Sequence, residues 1–154
     1  MTFRRATPDD LPSLIAMQRS FYSDEGYPFD ETTAAEAMRA LISDASLGRV
    51  MIAEDAAYLV VTFGYSLEFG GRDAFVDELY VLPAARGRGL GTAALALAEE
   101  LCREAGVRAL HLEVEFENRE AKRLYARSGY YEHTRHLMTK RFSPVPSPRA
   151  RGEG

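Results

Sequence analysis

The sequence predicts an α/β (α+β) fold of about seven strands and four helices, in the chain order βααβββαβαββ. Three observations carry this. Hydrophobic spacing switches several times between a helical period and a two-residue strand period. Gly, Pro and Asn punctuate the switches. The 154 residues are 46% hydrophobic and 27% charged, enough for one layered core and too few for two independent ones.

The first strand spans residues 2–6. It ends at Thr7-Pro8-Asp9-Asp10, a helix start with a threonine cap, proline in the first turn and acids beside it. Leu11, Leu14, Ile15, Gln18 and Phe21/Tyr22 then follow helical spacing until Gly26 and Pro28 break it. A second helix begins after Asp30, turns Ala34, Ala37, Met38, Leu41 and Ile42 inward, and closes at Leu47-Gly48. Residues 50–53 and 58–63 read as a hairpin about Glu54-Asp55-Ala56. That turn lacks the glycine usual in tight hairpins. Residues 65–72 form a loop with Gly70-Gly71 at its tip, and 74–81 form the next strand, stopped by Pro83. Residues 89–105 are an Ala- and Leu-rich helix ended by Gly106. In the strand 110–116, Leu110, Leu112, Val114 and Phe116 share one face, and His111, Glu113 and Glu115 the other, which Glu117 continues. Asn118 caps a helix running to Ser128, and 130–135 and 137–142 are the last strands. One domain is therefore expected over 1–142, followed by a Pro/Ser/Gly-rich tail, 143–154, that reads as disordered.

Composition excludes several function classes. The net charge is −4 and the pI about 5.4, which argues against a nucleic-acid binder and suits cationic small molecules or basic peptides. No apolar run reaches the length of a membrane span, and the start lacks a signal peptide's apolar stretch. A soluble cytoplasmic protein is expected. The single cysteine, Cys102, allows neither an intrachain disulfide nor a cysteine zinc site; it reads as a small apolar helix residue. His111, His133 and His136 have neither nucleophile-partner nor metal spacing, so no metal is expected.

The most informative stretch is Arg86-Gly87-Arg88-Gly89-Leu90-Gly91-Thr92, between a strand and a helix. Glycines at alternate positions let backbone N–H groups approach a ligand. The helix start adds unpaired donors and the positive end of a dipole, and Arg86 and Arg88 add charge. The result suits a pyrophosphate. A dinucleotide fingerprint counted from Gly87 would need glycine at Thr92, and no lysine completes a P-loop.

Arg86-x-x-Gly89-x-Gly91, after a strand ending Leu79-Tyr80-Val81, resembles the acetyl-CoA motif of the GNAT superfamily of N-acetyltransferases. Asn118, Ala121, Leu124-Tyr125 and Gly129-Tyr130 resemble a second motif of that family, and the element order agrees from residue 2 to about 142. The resemblance implies a mixed central sheet and acetyl-CoA as acetyl donor. The N–H groups of residues 87–92 would hold the CoA pyrophosphate, Leu79, Tyr80 and Val81 would pair with the pantetheine arm, and Asn118 would bond it from the far side. A bulge would splay the Leu79–Val81 strand from the 110–116 strand, and the thioester would enter the gap.

Acetyl transfer to an amine needs a base, an oxyanion donor and an acid for the departing thiolate. A backbone N–H of the 79–81 strand is the candidate oxyanion donor. Tyr125, at the family position facing the CoA sulfur, is the candidate acid. Glu113, where ribosomal-protein alanine N-acetyltransferases carry a glutamate, is the first candidate base; Glu78 on the neighbouring strand is its rival. The aromatics and acids of residues 21–29, with Glu25, Tyr27 and Phe29 foremost, and Glu68 with Tyr65 in the loop before the 74–81 strand are candidates for the acceptor wall. The expected function is acetyl-CoA-dependent transfer to a primary amine, on a cationic small molecule, by direct reaction in a ternary complex. Transfer to a protein or peptide amine is the first alternative, a non-catalytic CoA-binding regulatory module the second. Related folds are often dimers, so a homodimer is compatible, although no interface is readable.

Overall fold

The computed structural model describes residues 2–143. The disordered-tail expectation thus falls, but for Ser143, outside the described residues. The elements are β1 (Arg4–Arg5), a 3-10 turn (Pro8–Asp10), α1 (Leu11–Glu25), α2 (Glu31–Ser43), β2 (Gly48–Ala53), β3 (Ala57–Ser66), β4 (Gly71–Val81), a second 3-10 turn (Pro83–Ala85), α3 (Leu90–Glu104), β5 (Ala109–His111) and α4 (Arg119–Arg127).

The strands form one sheet in the order β1-β2-β3-β4-β5. Neighbours are antiparallel except β4 and β5, which run parallel. Strand alternation gives the sheet two apolar faces. Val50, Ile52, Tyr58 and Val60 pack with Leu14, Ile15 and Met17 of α1 and Met38 of α2. Met51, Leu59 and Val61 turn the other way and pack with Ala94, Ala98 and Cys102 of α3. The mixed α/β architecture and four helices are as expected.

The strand count differs. The described residues form five strands, not seven. The expected pair 130–135 and 137–142 has no strand pairing, and the expected strand 110–116 is reduced to Ala109–His111. The physical reason is a missing ladder. Sheet hydrogen bonds need a paired edge, and β5 offers three residues. Tyr131, Leu137, Met138 and Phe142 all stay exposed, so the apolar alternation there gains no burial. Phe116, expected on an apolar face, is also 79% exposed.

In the β2–β3 turn, Glu54 takes the positive φ that glycine usually supplies (39°). Its carboxylate accepts from Arg4 Nε at 2.8 Å, and Arg4 also grips Asp10 at 2.7 and 2.8 Å.

The feature that positions everything downstream is an extra residue in β4. Val60 opposes Glu78 while Val61 opposes Val76, so Asp77 is a bulge. Before it, Ala74 and Val76 face α3; beyond it Leu79 faces α3 and Tyr80 faces α1 and α2. Beyond Phe75, β4 has no parallel partner: β5 pairs only with Asp73–Phe75. The bulge expected from the resemblance is present, but β5 ends at His111 instead of running on as a splayed neighbour.

Gly48 has a role its sequence context hides. The spacing assigns it to the end of a helical stretch, but it opens β2. A Cβ there would lie 2.1 Å from the Val61 carbonyl oxygen and 3.0 Å from Thr62 Cα. Both are backbone atoms and cannot rotate away. Gly48→Ala should therefore cost about 1–3 kcal/mol, a Tm loss of roughly 3–10 °C for a domain of this size. A thermal melt with unchanged Tm would show that the two strands separate freely.

Candidate active site

The glycine turn sits where the motif requires. Gly87 (φ 79°) and Gly89 (φ 80°) hold left-handed backbone conformations that other residues rarely adopt. Gly89 is the N-cap of α3, and no side chain caps that helix. Its first N–H groups therefore remain for a ligand. Gly91 is the informative glycine. Its backbone is helical, and a Cβ there would meet nothing within 4 Å. Neither packing nor dihedral geometry asks for glycine, which weakens a helix by roughly 1 kcal/mol relative to alanine. The open space beside the first turn fits a phosphate group. The residues present therefore fit a CoA pyrophosphate, to be held by N–H groups of 87–92 with the exposed Arg88 alongside.

Arg86 is turned toward the strand. Its Nε donates to the Val81 carbonyl at 2.9 Å, and its guanidinium lies over the Tyr80 ring at 5.8 Å. Tyr80 donates to Asp24 Oδ2 at 2.8 Å. Leu79, Tyr80 and Val81 form the stretch of β4 past the bulge that lacks a parallel neighbour, the edge a pantetheine arm needs.

Glu78 is the most embedded acid of the candidate set. It accepts from Tyr22 Oη at 2.5 Å, Tyr58 Oη at 2.7 Å and Gln18 Nε2 at 3.0 Å. Burial pushes its carboxyl above the usual carboxylate range, and the Tyr22 and Tyr58 hydrogen bonds pull against that rise without cancelling it. The same burial, with the Glu78 charge, raises both phenols, so both stay protonated as donors. Glu78 opens on a cavity of about 440 Å³ between α1, α2, β3 and β4. Phe29, Ala34, Met38, Leu41 and Val60 wall it, and Asp30 and Asp77 also line it.

The other candidates lie elsewhere. Glu113 is exposed, two residues past β5. Tyr125, on α4, is half-buried; its ring meets Tyr130 edge-on at 6.1 Å, and burial raises its phenol. It makes no hydrogen bond to the Glu78 cluster. Asn118 caps α4 through Oδ1, which accepts from Ala121 N at 3.1 Å. Phe29 lines the cavity, and Tyr27 packs edge-on against Tyr22 while its hydroxyl donates to Glu115 at 2.9 Å. Glu25 is exposed outside the cavity, and Glu68 is held by Arg135 through two 3.0 Å bonds.

Gln18 and Tyr58 were not singled out as site residues by the sequence, and Tyr22 entered only as one of the aromatics of residues 21–29. One signal was available: Gln18 is a polar residue on the inward face of an apolar helix, and it is 9% exposed. Tyr58 carried no signal, because a tyrosine in an apolar strand reads as core. Among the described residues, no group of three or more His, Cys, Asp or Glu side chains is placed to hold a metal, and no helix is long and apolar enough to cross a membrane.

Comparison with known proteins shows the family and the fold. The model of the acetyltransferase (GNAT) family matches residues 12–130. An integron cassette protein from the mobile metagenome of Cole Harbour Salt Marsh superposes with a TM-score of 0.82 and 35% identity, over 93% of this chain and 91% of that one. The aminoalkylphosphonate N-acetyltransferase of Salmonella typhimurium is 44% identical over 55 residues, 36% of each chain. The mycothiol acetyltransferase of Beutenbergia cavernae is 46% identical over 61 residues, 38% of this chain and 20% of that one. The matches thus span about a third or less of these two relatives.

Gly91→Val tests the anion site without straining the fold. The variant should melt near the wild-type temperature yet lose the stabilisation that CoA gives, about 2.7 kcal/mol at a hundredfold excess over Kd. A CoA-induced shift in Tm equal to that of the wild type would remove Gly91 from the site.

Proposed function

The chain belongs to the acetyltransferase (GNAT) family, and from that premise we propose that it transfers an acetyl group from acetyl-CoA to the primary amine of a cationic small molecule, directly, in a ternary complex. The observation that carries the amine half is the carboxylate of Glu78, half-buried at the cavity beside the open edge of β4. Acetyl-CoA supplies a thioester carbonyl open to attack by an amine. The chain's residues supply the rest. Glu78 accepts the proton that the ammonium must lose before its nitrogen lone pair can attack. The N–C bond then forms as the C–S bond breaks, the Tyr125 hydroxyl gives the departing sulfur its proton, and the second proton of the attacking nitrogen passes to solvent as the amide forms. Solvent afterwards returns a proton to Tyr125 and takes one from Glu78.

Between the two candidate bases, the surroundings favour Glu78. A base works best with a pKa near the working pH, and burial moves Glu78 that way. Glu113 is exposed. Direct transfer is supported by Cys102: it is buried among the α3 contacts, and burial pushes its thiol up to about 11, so it is a poor acyl carrier. The charge of the acceptor is argued from Asp30, Asp77 and Glu78 around the cavity. The Salmonella relative's name specifies an aminoalkylphosphonate; here a phosphonate would meet carboxylates in a partly desolvated space, where like charges repel strongly.

Glu78→Gln should lower kcat/KM about 10²-fold or more, the general-base range, and remove the acidic limb of its pH profile. The sign follows from the raised pKa. In the wild type, activity falls as pH drops through a value above the ordinary glutamate value of about 4.3, because a protonated Glu78 cannot accept. Glu113→Gln should change little. The reverse ranking, read from pH–rate profiles with a saturating donor, would move the base to Glu113. Tyr125→Phe should lower kcat about 10²-fold with little change in donor affinity; an unchanged kcat in single-turnover experiments would leave Tyr125 a packing residue.

A further inference from the structure

Resting on the acetyl-transfer reading of this site, we infer that its acceptor is a primary amine on a compact apolar body, of the arylalkylamine class, seated in the cavity between α1, α2, β3 and β4 with its ammonium on Glu78 and Gln18 Oε1. Two independent observations meet here. The first is an orphaned acceptor. Gln18 lines the cavity and is 9% exposed, and its Oε1 is buried without a partner. Its Nε2 donates to Glu78 at 3.0 Å, which fixes the amide's orientation, since turning it over would set two acceptors against each other. A carboxylate offers about four acceptor sites; Tyr22, Tyr58 and Gln18 use three. One site on Glu78 and the Gln18 carbonyl together call for a donor with at least two hydrogens and a positive charge. A primary ammonium has three hydrogens.

The second observation is the wall. Away from Glu78 the lining is mostly apolar, with Phe29, Ala34, Met38, Leu41 and Val60 against the polar Asp30, Thr33 and Asp77, and a volume of about 440 Å³ lies in the range of small-molecule sites. A ring or branched alkyl group buries apolar area there. A polyamine would have to bring its second ammonium to Asp77 or to Asp30, whose carboxylate already accepts from the Thr33 hydroxyl; against Met38 and Leu41 it would be unpaired and costly. A peptide would bring more amide groups to this wall than Asp30, Thr33 and Asp77 can pair.

The test uses the whole chain with saturating acetyl-CoA and follows thiol release. 2-Phenylethylamine should show a kcat/KM at least tenfold above spermidine and a lysine-containing peptide. Ala37→Trp, at an exposed α2 position lining the cavity, should lower the ratio of kcat/KM for 2-phenylethylamine over methylamine at least tenfold. Gln18→Met should raise KM for 2-phenylethylamine about tenfold while moving kcat less. Preference for spermidine or the peptide, or an Ala37→Trp ratio equal to that of the wild type, would overturn the inference and leave acetyl transfer standing. Calorimetry with 2-phenylethylammonium on the CoA-loaded protein separates the two ideas. Binding that Ala37→Trp removes, without thiol release from any amine, would keep the cavity assignment and overturn acetyl transfer. Neither binding nor release would overturn both.

Discussion

One extra residue in one strand organises this molecule. Side chains along a strand alternate with a period of two, so a single insertion exchanges the faces of every residue beyond it. Asp77 is that insertion. With an unbroken β4, Glu78 and Tyr80 would follow Ala74 and Val76 onto the α3 face, among Leu59, Val61 and Ala98. A carboxylate there would have no donors. The bulge instead turns Glu78 toward α1 and β3, where Gln18, Tyr22 and Tyr58 wait, and gives Leu79 its place among the α3 contacts. It also lies just past the last residue that β5 pairs with. The inward acid and the open strand edge thus arise in the same place.

Keeping Glu78 inside is expensive. Desolvating a carboxylate costs several kcal/mol even after relaxation; hydrogen bonds to a charged group return about 1.5–3 kcal/mol each. Three such bonds bring the balance close to even, and the residue of the imbalance shows as the raised carboxyl pKa. The donors come from different elements, Gln18 and Tyr22 from α1 and Tyr58 from β3. The cluster therefore ties the helical layer to the sheet at the point where chemistry is proposed. Tyr22 also carries the edge-on contacts with Phe21, Tyr27 and Phe29, so the wall of the cavity and the hold on Glu78 share a side chain.

What was legible in the sequence was local. Helix spacing, the stops at Gly26, Pro83 and Gly106, the Asn118 cap and the glycine turn before α3 all depend on neighbours within a few residues, and all stand at their expected places. What was not legible depends on partners far along the chain. The hydrogen bonds to Glu78 span 20, 56 and 60 positions, and no spacing rule connects them. Gly48 looked like a helix stop because its real constraint is the Val61 carbonyl on the next strand. The alternation in 130–142 resembled a hairpin, but alternation makes a strand only where an edge exists to receive it, and β5 ends at His111.

The overall charge of −4 conceals a separation of sign across the sheet. On the α3 side, the uncapped helix start and Arg88 form a positive end, while Arg86 turns to Tyr80 and Asp24 of α1. On the α1/α2 side, the cavity holds Asp30, Asp77 and Glu78. An anionic donor and a cationic acceptor would each be drawn to its own side and repelled from the other, because low-dielectric clefts focus such fields. The ligands would then meet only at the strand between them, where β4 lacks its parallel neighbour. The proposed reaction needs no carrier residue for that reason: the sheet would separate the two ligands by charge, and the gap left by β5 is where they would touch.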